Sequence, residues 1–517
     1  GRAWDHKAPA PAGLPGGRAG RTRPMNAPDT TRDTAAAMTP DAPAPEPQTA
    51  PPPAPAWSAL FTGANALRTL ILAGGVVLHA VNVYVAATIL PSVVHDIGGL
   101  EYYAWNTTLF VTASIVGAAL SSRALALYGG RGTYGAGAAI FAMGAVTCAM
   151  AGSMPVMLAG RTVQGFGGGL LLALSYAMIR IVYDPSLWSR AVGLVSAMWG
   201  VATLIGPALG GMFAQARFWR GAFWSLVPVA AGFALLAMAV LPRRAAARPT
   251  TSTLALGQVG LMAAAVLALS AGGISHDTRS AAMGLAAFVA LMVPWAWLER
   301  RGRQPLLPAG ALRPRSQLCA LYLSMGLLAV SVTTSEIFVP LFLQVLHRQS
   351  PLMAGYLAAS MSAGWSVGSI LSAGRHGRAV PRAMMAAPVL GLIGMGMLWA
   401  LLPVPTAGGW RDVAPICAAL VMVGLGVGLA WPHLLTRVLR IAPAGQRDLA
   451  STSLTTVQLF CTALAAALAG LVANAAGLDA PGGVAGTASA AWWLFAVFSL
   501  CPLACIASVA RVLYLSR

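Results

Sequence analysis

Fourteen stretches of this chain are almost purely apolar for about twenty residues or more each, and that repeated length leaves few folds open. The hydrocarbon core of a bilayer is about 30 Å thick and a helix rises about 1.5 Å per residue, so about twenty apolar residues cross it. The runs lie at about 67–95, 104–122, 133–153, 156–182, 191–213, 221–242, 252–272, 280–298, 317–345, 352–373, 383–403, 413–436, 449–476 and 489–513. The pair at 252–298 is the least sharply defined. Bare backbone polar groups are not tolerated in lipid, so solid runs of this length predict helices. A transmembrane barrel would instead alternate apolar and polar residues over about ten positions. Composition agrees: 57% of residues are hydrophobic and 9% are charged, against about a quarter charged in soluble domains. A soluble enzyme, a disordered hub and a fibre are excluded. The expected fold class is an all-α membrane protein.

Residues 1–57 read differently. They are rich in Pro, Ala, Thr and Arg, as in PDAPAPEPQTAPPPAPA, and lack apolar periodicity. That composition predicts a disordered tail. It has no short apolar core of the kind a secretory signal needs. Gly1 is the first residue, so Met25 or Met38 is read as a candidate start. The six cysteines, Cys148, Cys319, Cys417, Cys461, Cys501 and Cys505, include no CxxC pair. We read them as small apolar packers, with no metal site and no disulfide framework.

The net charge is +19, from 33 basic and 14 acidic residues. Lys7 is the sole lysine, and the arginines sit in short gaps between apolar runs. This is the pattern of positive-inside topology, and no nucleic-acid partner is expected. With the N-terminus inside, the inner gaps hold Arg123, Arg131, Arg190, Arg243, Arg244, Arg248, Arg300, Arg301, Arg303, Arg313, Arg315, Arg375, Arg378, Arg382, Arg437, Arg440 and Arg447. The outer gaps hold Arg217, Arg220, Arg279, Arg348 and Arg411. Both termini are therefore expected in the cytoplasm. The basic loop ERRGRQPLLPAGALRPRS is read either as an anionic-lipid contact or as a topology-fixing loop.

An ionisable residue inside a span is a functional hypothesis, because charge in a bilayer is costly. Glu336, in SVTTSEIFVPLFLQ, is the acid that falls inside a span; the others, Asp96 and Glu299 among them, lie in the tail, in loops or at helix ends. A carboxyl that exchanges its proton as access alternates is what proton coupling requires; the alternative is a structural carboxyl bonded to Ser335, Thr334 or a neighbouring helix. Arg161, in LAGRTVQGFGGG, either snorkels to the outer edge or turns into the bundle toward backbone carbonyls or an acid. His79 lies mid-span in LHAVNVYVAATILP and is either a proton relay or a hydrogen-bonded packer. Candidate cavity residues are Asn82, Asn106, Tyr176, Trp199, Gln344 and Trp365, with His433 beside them.

Glycine is frequent, at 57 residues, and clusters inside spans. The fourth span carries Gly165, Gly167, Gly168 and Gly169; the fifth carries Gly200, Gly206, Pro207, Gly210 and Gly211. Glycine faces allow close helix contact, and the proline bends the helix. The GxG spacing follows no strand and is no nucleotide fingerprint. Neither a Walker sequence nor HExxH is present, and the one GxSxG spacing, Gly364–Gly368, lies inside an apolar run. No ATP-driven or hydrolytic chemistry is expected, and no cofactor.

Four stretches resemble the major facilitator superfamily, and within it the 14-helix drug:proton antiporters of bacteria. They are LAGRTVQGFGGG at 158–169, GVATLIGPALGG at 200–211, ILPSVVHDIGG with AWNTTLF, and FVPLFLQVLHRQSPLMAG at 338–355. The second resembles a motif that marks exporters in that superfamily. The resemblance implies a six-helix bundle over 66–242, two inserted helices over 250–298 and a second bundle over 317–513. It also implies substrate binding between the bundles and rocking alternating access. Arg161 would serve proton coupling, beside Glu336 and His79, which are read from their own place in the spans. Gly206, Pro207, Gly210 and Gly211 would control packing of the fifth helix and proton leak; Gly165 and Gly200 are read from the glycine pattern as further packing and gating positions. Arg123, Gly129 and Arg131 would form the inner loop after the second helix.

Two departures shift the load. Ala126 falls where the family has an Asp in that inner loop, and Asn82 falls where its first helix has one. An Asn cannot titrate, which leaves Glu336 as the proton carrier. The expected function is proton-driven export of amphipathic small molecules across a bacterial inner membrane by a monomer. The alternatives are a dedicated exporter of one metabolite or natural product, and a sensor that keeps the fold without transport.

Overall fold

The computed structural model describes residues 57–515 apart from 243–254, 276, 303, 374 and 376. The tail at 1–56, Arg243, Arg244, Arg248 and Arg303 lie outside the described residues. The described chain is helical nearly throughout, and ten helical segments in it are long and apolar enough to cross a membrane.

The helices run in chain order as α1 (Gly63–Ile97), α2 (Trp105–Ala149), α3 (Met154–Ala177), α4 (Ile179–Val182), α5 (Trp188–Gln215), α6 (Arg220–Val240), α7 (Leu256–Gly272), α8 (Thr278–Arg301), α9 (Gln317–Val345), α10 (Pro351–Ala373), α11 (Ala379–Leu401), α12 (Trp410–Ile441), α13 (Arg447–Ala475), α14 (Gly483–Phe498) and α15 (Leu500–Tyr514). Each predicted span has its helix. The fourth continues from α3 into α4, and the last from α14 into α15.

The second and third spans are joined in one 45-residue element, α2. At about 1.5 Å per residue that is about twice the hydrocarbon thickness. The element turns back at Gly129, whose φ of 70° and ψ of 174° break the helix; glycine reaches such a φ without a Cβ clash. This corrects the expected inner loop. Arg123 and Ala126 lie on helical backbone before the break, and Arg123 is exposed. Arg131 lies just beyond it and closes the end of α6. Its Nε donates to the Leu241 carbonyl and an Nη to the Ala239 carbonyl, both at 3.3 Å. A cation on the last carbonyls of a helix is favoured by the helix dipole.

Helix packing divides into groups. α1 packs on α5, α3 and α6, and α2 on α3 and α6; α12 packs on α10 and α11, and α9 on α13 and α15. Contacts between those groups run chiefly through α5 with α10 and α2 with α13, while α7 pairs with α8 and also touches α2 and α13. Successive spans alternate in direction. One end of the molecule therefore carries Asp96, Ala151, Gly211, Gly273 and Asn474, and the other carries Gly129, Arg180, Arg301 and Asp448.

Glu299, expected as an unremarkable helix-end acid, orders the basic loop. Its carboxylate accepts from the Leu306 amide at 3.1 Å and the Leu307 amide at 2.6 Å, so Leu307 can be buried. The Ala309 amide donates to Gln446 Oε1 at 2.8 Å. The loop is thereby held against the α12–α13 turn.

Candidate functional site

A polar junction forms where α1, α5, α9 and α10 meet, and it spans both helix groups. Tyr84 of α1 is its centre. The hydroxyl lies 3.1 Å from Ser362 Oγ of α10 and faces the Glu336 carboxyl of α9 and the Thr203 hydroxyl of α5. Glu336 is half-buried, and Tyr84 and Thr203 are buried. Among the described residues the ion pairs are Arg180–Asp448 and Arg220–Asp96, so no arginine pairs with the Glu336 carboxyl. The alternative bonds to Ser335 and Thr334 are not made: those hydroxyls turn to the Ser331 and Val330 carbonyls one turn back.

The fifth-span glycines explain how the tyrosine fits. A Cβ on Gly206 would overlap the Tyr84 side chain, and one on Gly210 would press on Val85 and Thr88. Pro207 lies against Gly355 of α10, and Gly211 against the backbone of Leu352. Helix α5 is thus pressed between α1 and α10. Gly200 does none of this. A Cβ there would meet nothing within 4 Å, which corrects its expected packing role.

A second cluster lies between α1, α2, α3 and α5. Arg161 is 2% exposed, which rules out snorkelling to the edge. It donates from Nε to the Asn106 carbonyl at 3.3 Å and from Nη1 to Gln164 Oε1 at 2.9 Å. Its guanidinium also lies 4.2 Å from the Phe110 ring centre. Among the described residues no acid pairs with it. The His79 ring packs at 5.2 Å on Phe110 and edge-on at 5.9 Å to Trp199. His79 Nδ1, both amide atoms of Asn82, Asn106 Oδ1 and Gln164 Nε2 are buried without a partner among the described residues. Buried polar groups are costly to leave unpaired.

The remaining candidates are dispersed. The Tyr176 hydroxyl lies 3.3 Å from Ser196 Oγ. Trp365 packs on Trp431 at 5.4 Å, inside the second helix group, and Ser372 lies 2.8 Å from His433 Nε2. Gln344 Nε2 is buried without a partner among the described residues, near the end of α9. Gly165 and Gly169 let α3 rest on α2: a Cβ on either would overlap the backbone of Phe110 or Ser114, and Ser114 Oγ donates to the Gly165 carbonyl at 2.9 Å. The sequence reading missed Tyr84, Thr203 and Ser362. Tyr84 had a signal, since its polar tip falls mid-span two residues after Asn82; the two hydroxyls had none.

Residues 72–466 match the sequence profile of the Major Facilitator Superfamily. The chain is similar to a probable multidrug-efflux transporter of Mycobacterium tuberculosis, at 36% identity over 422 residues, which covers 79% of this chain and 88% of that protein. It is similar to Multidrug resistance protein 3 of Bacillus subtilis at 25% identity, covering 68% of this chain and 69% of that one. Among solved structures, a D-xylose–proton symporter superposes with a TM-score of 0.61 at 15% identity, over 86% of this chain and 97% of its own. A peptide transporter does so with a TM-score of 0.63 at 14% identity, over 86% and 94%.

Proposed function

The chain belongs to the major facilitator superfamily, and from that premise we propose that it exports amphipathic small molecules across a bacterial inner membrane in exchange for protons. The relatives named as multidrug transporters support the substrate class. The arginine distribution supports an orientation with Asp96, Gly273 and Asn474 outside and both termini in the cytoplasm. On this reading residues 66–242 and 317–513 are two bundles that rock about the site between them.

The observation that carries the proposal is the Tyr84–Glu336 junction. Tyr84 bonds across the helix groups to Ser362, and its hydroxyl lies near Glu336, the intramembrane acid among the described residues. Protonation of Glu336 would remove the charge that lies beside the Tyr84 hydroxyl. Rocking of the bundles would pull the two groups apart and expose the carboxyl to the other side. Proton state and access are thereby coupled at one contact. Arg161, His79 and Asn82 supply the polar wall of the first bundle, and Trp199 its aromatic one.

The test is dye efflux in right-side-out cells of an efflux-deficient bacterium, comparing wild type, Glu336→Gln and empty vector, each with and without a protonophore. Loss of efflux both with the protonophore and in the variant is the expected result. A variant that still pumps against a gradient would make Glu336 structural. Wild type indistinguishable from empty vector, with the protein present in the membrane, would sink multidrug export for those dyes.

A further inference from the structure

One buried amide ties three parts of the molecule together at the end that carries Asp96. Asn474 of α13 is 4% exposed. Its Nδ2 donates to the Glu101 carbonyl and to the Gly273 carbonyl, both at 2.8 Å. Glu101 lies in the short 3₁₀ turn between α1 and α2, and Gly273 follows the last residue of α7. The amide has two hydrogens, and these two bonds use both. The first helix group, the α7–α8 pair and the second helix group therefore meet on a single side chain.

The backbones around it are in contact. A Cβ on Gly470 would lie 2.7 Å from Ala104 Cβ, and one on Gly273 would lie 2.9 Å from Leu471 Cα. The Tyr103 ring packs 5.3 Å from Phe338, across the groups. On the α5–α10 side of the same end, Gly211 meets the Leu352 backbone. The opposite end carries a solvent-exposed contact. There the ion pair between the groups, Arg180–Asp448, spans 3.9 Å with side chains 66% and 91% exposed. At the Asn474 end the groups thus touch on both the α2–α13 and the α5–α10 sides.

We propose that Asn474 is the latch of the extracellular gate, and that the α7–α8 pair is a working part of that gate. This rests on the reading above, in which the chain alternates access and the Asn474 end faces outward. Outward release requires α13 to leave the α1–α2 turn, and the amide cannot then hold both carbonyls. Hydrogen bonds between neutral groups are weak enough to break once per cycle. Because α7 hangs from the same amide, opening must either carry it along with α13 or strip it away. A lid of this kind seals the α2–α13 seam, while the α5–α10 seam has no such cover among the described residues.

The test uses a Tyr103→Cys reporter in the full-length chain, in right-side-out vesicles, labelled with a membrane-impermeant maleimide. The same chain without the reporter measures background from the six native cysteines. Asn474→Ala is expected to raise the reporter's labelling rate several-fold. Gly273→Ala, which pushes α7 off Leu471, is expected to raise it as well. An unchanged rate in Asn474→Ala overturns the latch. A rise in Asn474→Ala without one in Gly273→Ala overturns the role of α7–α8. Equal gains in the background of Asn474→Ala, where Cys148 and Cys505 are buried, would report unfolding and also overturn it. The readout needs no substrate, so failure of dye efflux and failure of the latch are separate results.

Discussion

Tyr84 shows how a single hydroxyl can matter more than its position in the sequence suggests. Tyr84→Phe keeps the ring that fills the space beside Gly206 and removes the hydroxyl that bonds to Ser362 and lies near Glu336. The expected result is a protein at wild-type abundance with dye efflux reduced at least several-fold, measured beside Ser362→Ala, which leaves the Glu336 contact in place and is expected to cost less. His347 offers a pH test outside the membrane. It is 1% exposed, and its ring nitrogens lie 2.9 Å from Thr406 Oγ1 and 3.1 Å from the Leu402 carbonyl. Burial holds its pKa below the ordinary histidine value, against the opposing influences of the Leu402 carbonyl and Asp412. The unfolded chain therefore binds the proton more readily than the folded one. The stability this contributes is present above the unfolded value of about 6.5 and is lost as pH falls below it. Thermal stability in detergent is expected to drop from pH 7 to pH 5, and less so in His347→Gln. Glu336 was legible in the sequence because an acid among apolar neighbours stands out. Its partner was not, because a tyrosine in a membrane helix is ordinary until another helix brings a carboxyl to it.

Glycines with the same frequency in the sequence do different work in their helices. Gly165 is packed against the Phe110 backbone, and Gly200 faces open space. Gly165→Ala is expected to destabilise by about 1–3 kcal/mol, the usual range for forcing a methyl into a packed site. Gly200→Ala is expected to be neutral or to stabilise by up to about 1 kcal/mol through helix propensity. Melting of the two purified variants in detergent checks both. A Gly200→Ala loss as large as that of Gly165→Ala would mean the open face is occupied in the membrane. The break at Gly129 belongs to this scale as well. The hydropathy pattern located two spans around it, but the return of the chain there depends on one residue at φ 70° and on Arg131 gripping the end of α6.

At the scale of the molecule, orientation is the first thing to settle. Arg375 and Arg411 are exposed at opposite ends. Arg375→Cys is expected to label with an impermeant maleimide only after right-side-out vesicles are permeabilised, and Arg411→Cys without permeabilisation; the reverse pattern would invert the topology. The Arg180–Asp448 pair is expected to add no more than about 1 kcal/mol, as exposed pairs do. Number, length and direction of the spans are properties of consecutive residues, because the bilayer tests each segment of about twenty residues by itself. The sequence alone therefore determined the membrane class, the helix order and the glycine-rich stretches that mark the family. Which side chains face one another is settled by segments far apart in the chain, whose packing has no local signal. Only the tertiary structure could therefore place Tyr84 on Glu336, bury Arg161 beneath Phe110 without an acid, show Gly200 idle beside Gly206, and hang α7 and the α1–α2 turn on Asn474.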